Sequence, residues 1–430
     1  MIGKTILVVG VTGFIGAAVA CRLHAAGASV VGVSRSPSKS AVPLRHVRLD
    51  VASASEPATW GPVLVGVDAV VYCAGALQDG PGESLQAVHE TGPAALYHAC
   101  AEAGVRRIVH LSALGVDNAT TDFSRSKLAG DQILMDSDLD WVVLRPSVVI
   151  GRNAFGGPAL LRGLAALPVV PVPEQAAALQ IVHIDDLLDT ILFFVRPAAP
   201  ARLVLDVVGL HAWRFDEVVG LFRRWLGWRP AIGIRLPRWL AAVAFAFGDF
   251  LGRLGWQTAL RSNAGAELLR AAPGDPIRWI EQTGIVPRDI ERTLLLEPAS
   301  VQERWFARLY LLRPCIFVLC ALFWIATGVV ALGPGWDHGI GLMNEGGIFG
   351  WAAAAVVVAG ALCDIAVGAA IGWRRTARLG VWAAIAVSVV YAIVGTVLVP
   401  RLWSDPMGPM LKVLPILVLH LAALGLVEDR

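Results

Sequence analysis

Charge is scarce in this chain. Asp, Glu, Lys and Arg make up 16% of its 430 residues, against roughly a quarter in soluble domains, while 56% are hydrophobic. With 36 basic and 34 acidic residues the net charge is only +2, and no basic stripe interleaves with aromatics, so a nucleic-acid partner is not expected. Cysteine is sparse too: the six (21, 73, 100, 315, 320 and 363) form no C-x-x-C pair, which argues against a zinc knuckle or a disulfide framework and for thiols in a reducing compartment. A secretory leader is poorly supported. Ala18-Val19-Ala20-Cys21 faintly resembles a lipoprotein cleavage site, but only Lys4 precedes the apolar stretch and three glycines interrupt it. What the chain has instead is apolar length. A mean hydropathy of +0.63 requires a membrane region, and the excess lies after residue 310.

The N-terminal end is organised around Gly10-Val11-Thr12-Gly13-Phe14-Ile15-Gly16. Thr5 to Val9 reads as a buried parallel strand, and Ala17 to Ala26 as a helix. Glycines at this spacing serve a strand-turn-helix that holds a dinucleotide. Gly10 permits the tight turn, Gly13 lets the backbone approach the pyrophosphate, and Gly16 lets the helix pack on the strand. The phosphates then meet the unpaired N–H groups and positive dipole end of the helix.

Strands follow at Ser29–Val33, Val47–Leu49, Ala69–Tyr72 and Arg107–Leu111, with a helix over about 85–103. This alternation predicts an α/β, doubly wound parallel sheet. The second strand ends in Ser34-Arg35-Ser36, with Lys39 just beyond, about twenty residues past the glycines where the adenine ribose is read. An acid there would bind the NAD 2′-hydroxyl. Arg35 offers a guanidinium fork to a 2′-phosphate, so NADP(H) is expected in preference to NAD(H). Asp50-Val51 ends the third strand within reach of the adenine amino group, and Cys73-Ala74-Gly75 leaves room beside the cofactor.

Thr12-Gly13-Phe14-Ile15-Gly16, Cys73-Ala74-Gly75, Leu111-Ser112-Ala113 and Leu144-Arg145-Pro146-Ser147 together resemble the extended and atypical short-chain dehydrogenase/reductases. Ile181-Val182-His183-Ile184-Asp185-Asp186 is similar to that superfamily's late loop and helix start. The resemblance covers roughly residues 1–300. It implies a Rossmann fold with a small substrate lobe and a cofactor site that includes Pro146. It also implies a serine, here Ser112, that polarises a substrate carbonyl, and a Tyr-x-x-x-Lys pair that supplies the proton and grips the nicotinamide ribose.

The pair is where the chain departs. The matching segment reads Phe123-Ser124-Arg125-Ser126-Lys127, and none of the tyrosines (72, 97, 310 and 391) has a lysine four residues later. Phe123 and Lys127 still share a helix face at i, i+4, so Lys127 can hold the ribose. A phenyl ring has no proton to give, and general-acid catalysis worth roughly 10²- to 10⁴-fold is absent from that position. Lys127 would have to be moved or desolvated to take over, against its expected ribose contact. Atypical members with such a loss include the accessory Rossmann subunit of respiratory complex I.

Residues 1–230 are therefore expected to form the NAD(P)-binding domain, with substrate-lobe elements from 147, and 231–303 a substrate lobe or amphipathic connector. Asp185 is expected to cap the helix that runs to about Phe194, and His183 to be structural rather than catalytic. Trp239 to Gly248 is too short to span a bilayer. Flanked by Arg235, Arg238 and Arg253, it either lies on a membrane surface or lines the substrate cleft.

From Arg304 the chain changes solvent. Segments at about 314–332, 348–373, 379–400 and 409–427 read as four spans, the last adequate only if Lys412 snorkels and the helix begins at Pro409. Arg304, Arg308 and Arg313 precede the first, and Arg374, Arg375 and Arg378 fill the second-to-third loop. This positive-inside bias puts both termini on the cytoplasmic side of an inner membrane. Trp336-Asp337-His338-Gly339-Ile340-Gly341-Leu342 and Asp405-Pro406-Met407-Gly408-Pro409 resemble the DoxX-like four-helix domain. Asp364 and His420, the ionisable side chains well inside the last three spans, are expected at similar depth, either paired or with Asp364 bonded to a backbone carbonyl.

The sequence thus supports two functions. One is a membrane-held, NADP(H)-dependent oxidoreductase for an apolar carbonyl compound or quinone, without metal. The other is a non-catalytic cofactor-binding module that senses or assembles a membrane redox complex or homo-oligomer.

Overall fold

The computed structural model describes all residues except 38–41, 81, 119, 154, 175, 257–258, 271–272 and 428–430, and only the backbone of 268–270. It divides into two compact units, Met1–Phe250 with Thr258–Ala307, and Leu251–Gln257 with Arg308–Arg430.

The first unit holds a seven-stranded parallel sheet of β1 (Thr5–Val9), β2 (Ser29–Ser34), β3 (Arg45–Arg48), β4 (Ala69–Tyr72), β5 (Arg107–Leu111), β6 (Asp140–Pro146) and β10 (Leu203–Val207), in the order β10-β6-β5-β4-β1-β2-β3. The reversal of strand order beside β1 opens a crevice at the strands' carboxyl ends, where doubly wound sheets hold ligands. Val8, Val71, Val109 and Val142 build one core face and Leu7, Val70, Ile108 and Val143 the other, because both faces of a parallel sheet are covered by helices. Those helices are α1 (Phe14–Ala25), α2 (Pro57–Leu64), α3 (Gly92–Glu102), α4 (Asp122–Met135) and α6 (Ile184–Phe194). A π-helical turn, Ala87–Thr91, precedes α3 within the segment expected as one helix.

The smaller lobe contains β7 (Val148–Ile150), β9 (Leu179–His183) and β11 (Ala212–Trp213) in one sheet, and β8 (Val169–Pro173) paired with β12 (Ile232–Leu236). Its helices are α5 (Gly156–Ala165), α7 (Phe215–Trp225), α8 (Arg238–Arg253), α9 (Ser262–Arg270), α10 (Ile277–Thr283) and α11 (Ile290–Leu296). The expected cap at the start of α6 is corrected. His183 is the N-cap, its Nδ1 accepting from the Asp185 N–H at 3.3 Å. The Asp185 carboxylate instead pairs with Arg22 of α1 at 2.5 Å.

Among the described residues three helices are long and apolar enough to cross a membrane: α12 (Val301–Leu332), which lies in the second unit from Arg308 on, and α14 (Gly350–Gly372) and α15 (Ala377–Leu398), wholly within it. A short helix, α13 (Trp336–Glu345), occupies the segment expected as a loop. The last apolar helix, α16, starts at Val413 and ends at Leu426. Its 14 residues rise about 21 Å, less than the ~30 Å hydrocarbon thickness.

Candidate functional site

The glycine turn leaves no room for a side chain at any of its three glycines. Gly10 has φ +84°, and a Cβ there would lie 2.9 Å from the Ala74 nitrogen. At Gly13 it would lie 3.2 Å from the Gly10 carbonyl oxygen, and at Gly16 only 2.2 Å from that oxygen. Each side chain would fill the groove between β1, the turn and the β4 terminus. Gly13 is the N-cap of α1 and offers no side-chain oxygen, and the first turn carries no acid, so the N-terminus of α1 is open to an anion. Thr12 and Gly13 are exposed, Phe14 and Ile15 half-buried. This cradle fits a dinucleotide pyrophosphate.

Just past β2, the Arg35 guanidinium is engaged. Nη1 donates to the Gly82 carbonyl at 3.1 Å, and Nη2 meets Glu83 Oε1 at 3.2 Å, with half the Arg35 side chain exposed. Ser34 Oγ donates to the Ser36 carbonyl at 2.8 Å. Asp50 caps the short turn Val51–Ser53 by accepting from the Ala52 N–H at 3.1 Å, while Val51 is buried against Gly92. Lys39 lies outside the described residues.

On the side of β4 and β5, Thr121 Oγ1 caps α4 by accepting from the Ser124 N–H at 3.0 Å. That start sets Phe123, Lys127 and Asp131 on one face at i, i+4 and i+8. Phe123 is half-buried, its ring edge-on to His89 at 5.7 Å. Lys127 is buried, and its Nζ donates to the Leu111 carbonyl at 2.9 Å. A Cβ added to Gly75 would lie 3.6 Å from Lys127 Nζ and 3.5 Å from His89 Nε2, so both nitrogens look onto the β4 terminus. Burial lowers the Lys127 pKa to about 8, against the opposing pull of Asp131 and Cys73. The Cys73 thiol is pushed up to about 12 by burial, which Lys127 only partly offsets.

His89 is neutral, burial and the nearby Lys127 charge bringing it down to about 2. Its Nε2 accepts from the Ala76 N–H at 3.1 Å, which leaves the proton on Nδ1, 2.8 Å from Ser126 Oγ. Ser126 in turn donates to the Phe123 carbonyl at 3.0 Å.

Ser112 is buried beside Lys127's acceptor, but its hydroxyl is already committed. Oγ donates to Asp131 Oδ2 at 2.8 Å. Asp131 is completely buried, with Arg145 Nη2 at 3.1 Å and His110 Nε2 at 3.3 Å, and Tyr97 OH meets the other His110 nitrogen at 2.7 Å. Burial would raise the Asp131 pKa, but His110, Ser112 and Arg145 together hold it below the usual carboxylate value. Asp131, His110 and Tyr97 escaped the sequence reading, although the i+4 step from Lys127 put an acid on the inner face of α4. Pro146 ends β6 beside Val207.

Helix α9 joins the two sides of this cluster. Asn263 Nδ2 donates to the Leu77 carbonyl at 3.0 Å, just past Gly75, and Glu267 accepts from Ser124 Oγ at 2.8 Å and from Thr121. His183 is removed from it. It caps α6 and lines a cavity of about 20 Å³ with Ile150, Arg162 and Trp225, room for one water. Among the described residues no group of acids, histidines and cysteines could hold a metal.

Residues 10–160 match the NAD(P)H-binding family, and residues 321–421 the DoxX-like family. The chain joins an NAD(P)-binding, short-chain-reductase-like Rossmann domain to a DoxX-like domain. The Rossmann domain's fold is shared with MoeE5, solved with UDP-glucose and NAD, at TM-score 0.53 and 19% identity over 72% of this chain and all of that one. A ceramide reductase of Caulobacter vibrioides is 24% identical over 172 residues, covering 40% of this chain and 54% of the relative. A dihydroflavonol 4-reductase of Zea mays is 28% identical over 250 residues, covering 46% of this chain and 69% of the relative. The match thus spans about half the length of the ceramide reductase.

In the DoxX-like domain, Asp364 and His420 do not bond to each other. Asp364 Oδ1 accepts from Tyr391 OH at 2.8 Å, and His420 Nε2 accepts from Trp324 Nε1 at 3.0 Å. Both are buried within the helices, as costly intramembrane polar groups require.

Proposed function

We propose that this chain is a membrane-anchored NAD(P)H-dependent reductase of a lipid-soluble carbonyl compound or quinone, with Lys127 as its proton source. The observation that carries this reading is the placement of Lys127 Nζ. It lies buried beside Gly75, while Phe123 has no proton to give and the Ser112 proton goes to Asp131.

Bound NAD(P)H supplies the hydride. The chain's own residues must then orient the acceptor and deliver one proton. As the substrate oxygen gains charge, Lys127 Nζ–H passes its proton to that oxygen and remains as a neutral amine, which water reprotonates. Desolvation to a pKa of about 8 suits an ammonium to this task near neutral pH, where the strongest donor that is still protonated is most effective. Ser112, its hydrogen turned to Asp131, presents lone pairs to the site, so it receives a hydrogen bond from a substrate hydroxyl or from Lys127.

The choice of a lipid-soluble substrate draws on the apolar helices and on the partial similarity to a reductase whose name specifies a ceramide. We assign NADP(H) as the preferred cofactor on Arg35, and an inner-membrane location with both termini cytoplasmic on the arginine distribution. The domain limits of 230 and 303 and the four-span reading of the last 127 residues belong to the same proposal. The test is NADPH oxidation by full-length protein in lipid, over a panel of long-chain ketones and quinones. Saturable turnover that Lys127→Gln abolishes supports the reading. Tight NADPH binding with no turnover on any member favours the second function, a cofactor-sensing or assembly module, to which the committed Ser112 proton and Phe123 also lend support.

A further inference from the structure

Helix α8 carries an apolar stripe that the protein leaves open. Trp239, Val243, Phe247 and Phe250 fall on one helix face, and they are 68%, 57%, 50% and 53% exposed. The other side of α8 packs on α9. Phe245 packs on Gly265 of α9, where a Cβ would lie 2.6 Å from the ring, and the Asp249 carboxylate accepts from Ser262 at the start of α9. Just upstream, Ile232 and Ile234 of β12 are 69% and 53% exposed. The stripe includes no acid, and Arg235, Arg238 and Arg253 flank it.

Where α8 ends is equally informative. Residues 251–256 belong to the unit that holds α14 and α15. Trp256 Nε1 donates to the Gly372 carbonyl at 2.8 Å, its ring lies 4.7 Å from that of Phe317, and the Arg374 guanidinium sits 5.6 Å above it. The Arg374 N–H donates to the Leu254 carbonyl at 3.0 Å. Gly372 is the last residue of α14, and Trp373-Arg374-Arg375 is the turn into α15. Tryptophan and arginine clustered where an apolar helix ends mark the headgroup level. The end of α8 is therefore pinned at that level.

We propose that α8 is an interfacial helix, seated in the bilayer surface on the side of the 373–376 turn, with the Trp239–Phe250 stripe in the acyl boundary and its flanking arginines among anionic headgroups. An in-plane helix of this kind buries an apolar face to a depth of about 5–10 Å and gains further attraction from basic residues at its polar edges. Its inner face holds α9, whose Asn263 and Glu267 tie the loop after Gly75 to the start of α4.

The test reads depth and not turnover, so its failure is distinct from failure of the reductase reading. Full-length protein with native cysteines replaced is reconstituted in vesicles containing phosphatidylglycerol, with an environment-sensitive fluorophore on cysteine at Val243, Phe247 or Ala244. At 243 and 247 quenching by shallow nitroxide-labelled lipid should exceed quenching by aqueous iodide severalfold, whereas Ala244, on the packed side, should respond weakly to both. Strong iodide quenching at 243 and 247 overturns the proposal. A second measurement keeps the native cysteines, placing a photoreactive amino acid at Phe247. Capture of lipid supports the proposal; capture of a second copy of the chain overturns it in favour of a dimer contact.

Discussion

Ser112 Oγ and Asp131 Oδ2 stand 2.8 Å apart with both groups buried, and the serine is the donor. Its proton is thereby withheld from any substrate. Asp131 is best described as a positioning residue, the node joining Ser112, Arg145 and His110. Asp131→Asn keeps the shape but removes the buried one of the two carboxylates that pair with Arg145, leaving the exposed Asp117 on Nη1. Breaking one side of a buried ion pair is expected to destabilise by about 3–5 kcal/mol. Because its folded pKa is depressed, the stabilisation from Asp131 is present above the unfolded carboxylate value and is lost as pH falls through the folded one. The parent should therefore lose thermal stability in strong acid, and Asp131→Asn should be less stable at neutral pH with a flatter acid limb. An unchanged melting temperature at neutral pH would remove Asp131 from this role.

The Lys127 assignment predicts a pH profile. The donor must be charged, so reduction should be full below pH about 8 and fall as pH rises past it. Lys127→Arg should bind NADPH yet turn over at least a hundredfold more slowly, since a guanidinium does not release its proton. A readout free of turnover is the pH dependence of amine labelling in the cofactor-free protein, followed by peptide mass spectrometry. Half-maximal labelling of Lys127 near pH 8 is expected, and a midpoint above 10 would refute the assignment.

Phe123→Tyr restores a phenol one helical turn before Lys127. Cofactor affinity should change little, while carbonyl reduction should rise about tenfold or more if the site accepts the new donor. Robust ketone reduction by the parent that is indifferent to this change and to Lys127→Gln would mean that some other residue donates.

Arg35 spends its guanidinium on Glu83 and the Gly82 carbonyl, so a 2′-phosphate must compete for it. Tighter binding of NADPH than NADH is expected in calorimetry, and Arg35→Asp should reverse the order. Glu83→Gln should strengthen NADPH binding by about two- to fivefold and leave NADH nearly unaltered, as expected for an exposed ion pair worth less than ~1 kcal/mol. Equal affinities for the two cofactors in the parent would end the NADP preference.

Topology can be settled by cysteine accessibility. In a cysteine-free background, a probe at Gly341 on α13 should react from the periplasmic side and one at Thr376 should not. The opposite result would invert the orientation and place the Rossmann domain outside.

The sheet and the tight glycine turn were legible because they rest on local rules. A glycine three or six residues after another is forced by backbone contacts within one turn, and buried parallel strands announce themselves as short apolar runs. Interactions across long sequence separations were not legible. Asp185 looked like a helix cap, but Arg22, 163 residues away, claims its carboxylate and His183 caps instead. Arg35 looked free, because nothing local reveals that Glu83 folds back onto it. Asp364 and His420 were matched on depth alone, whereas Tyr391 and Trp324, on two other helices, lie nearer in the right direction.

The π-helical turn Ala87–Thr91 has a bearing on how this domain tolerates insertions and deletions. It holds one residue more per turn than an α-helix, and α4 crosses it so closely that a Cβ at Gly130 would lie 2.1 Å from the His89 carbonyl oxygen. Excising a single residue between 87 and 91 would let the turn relax into ordinary helix, with the flanking residues keeping nearly the same phase relative to α3. In an indel scan of the Rossmann domain, this one-residue surplus marks a spot where deleting His89 itself should spare the fold and remove the imidazole from beside Gly75.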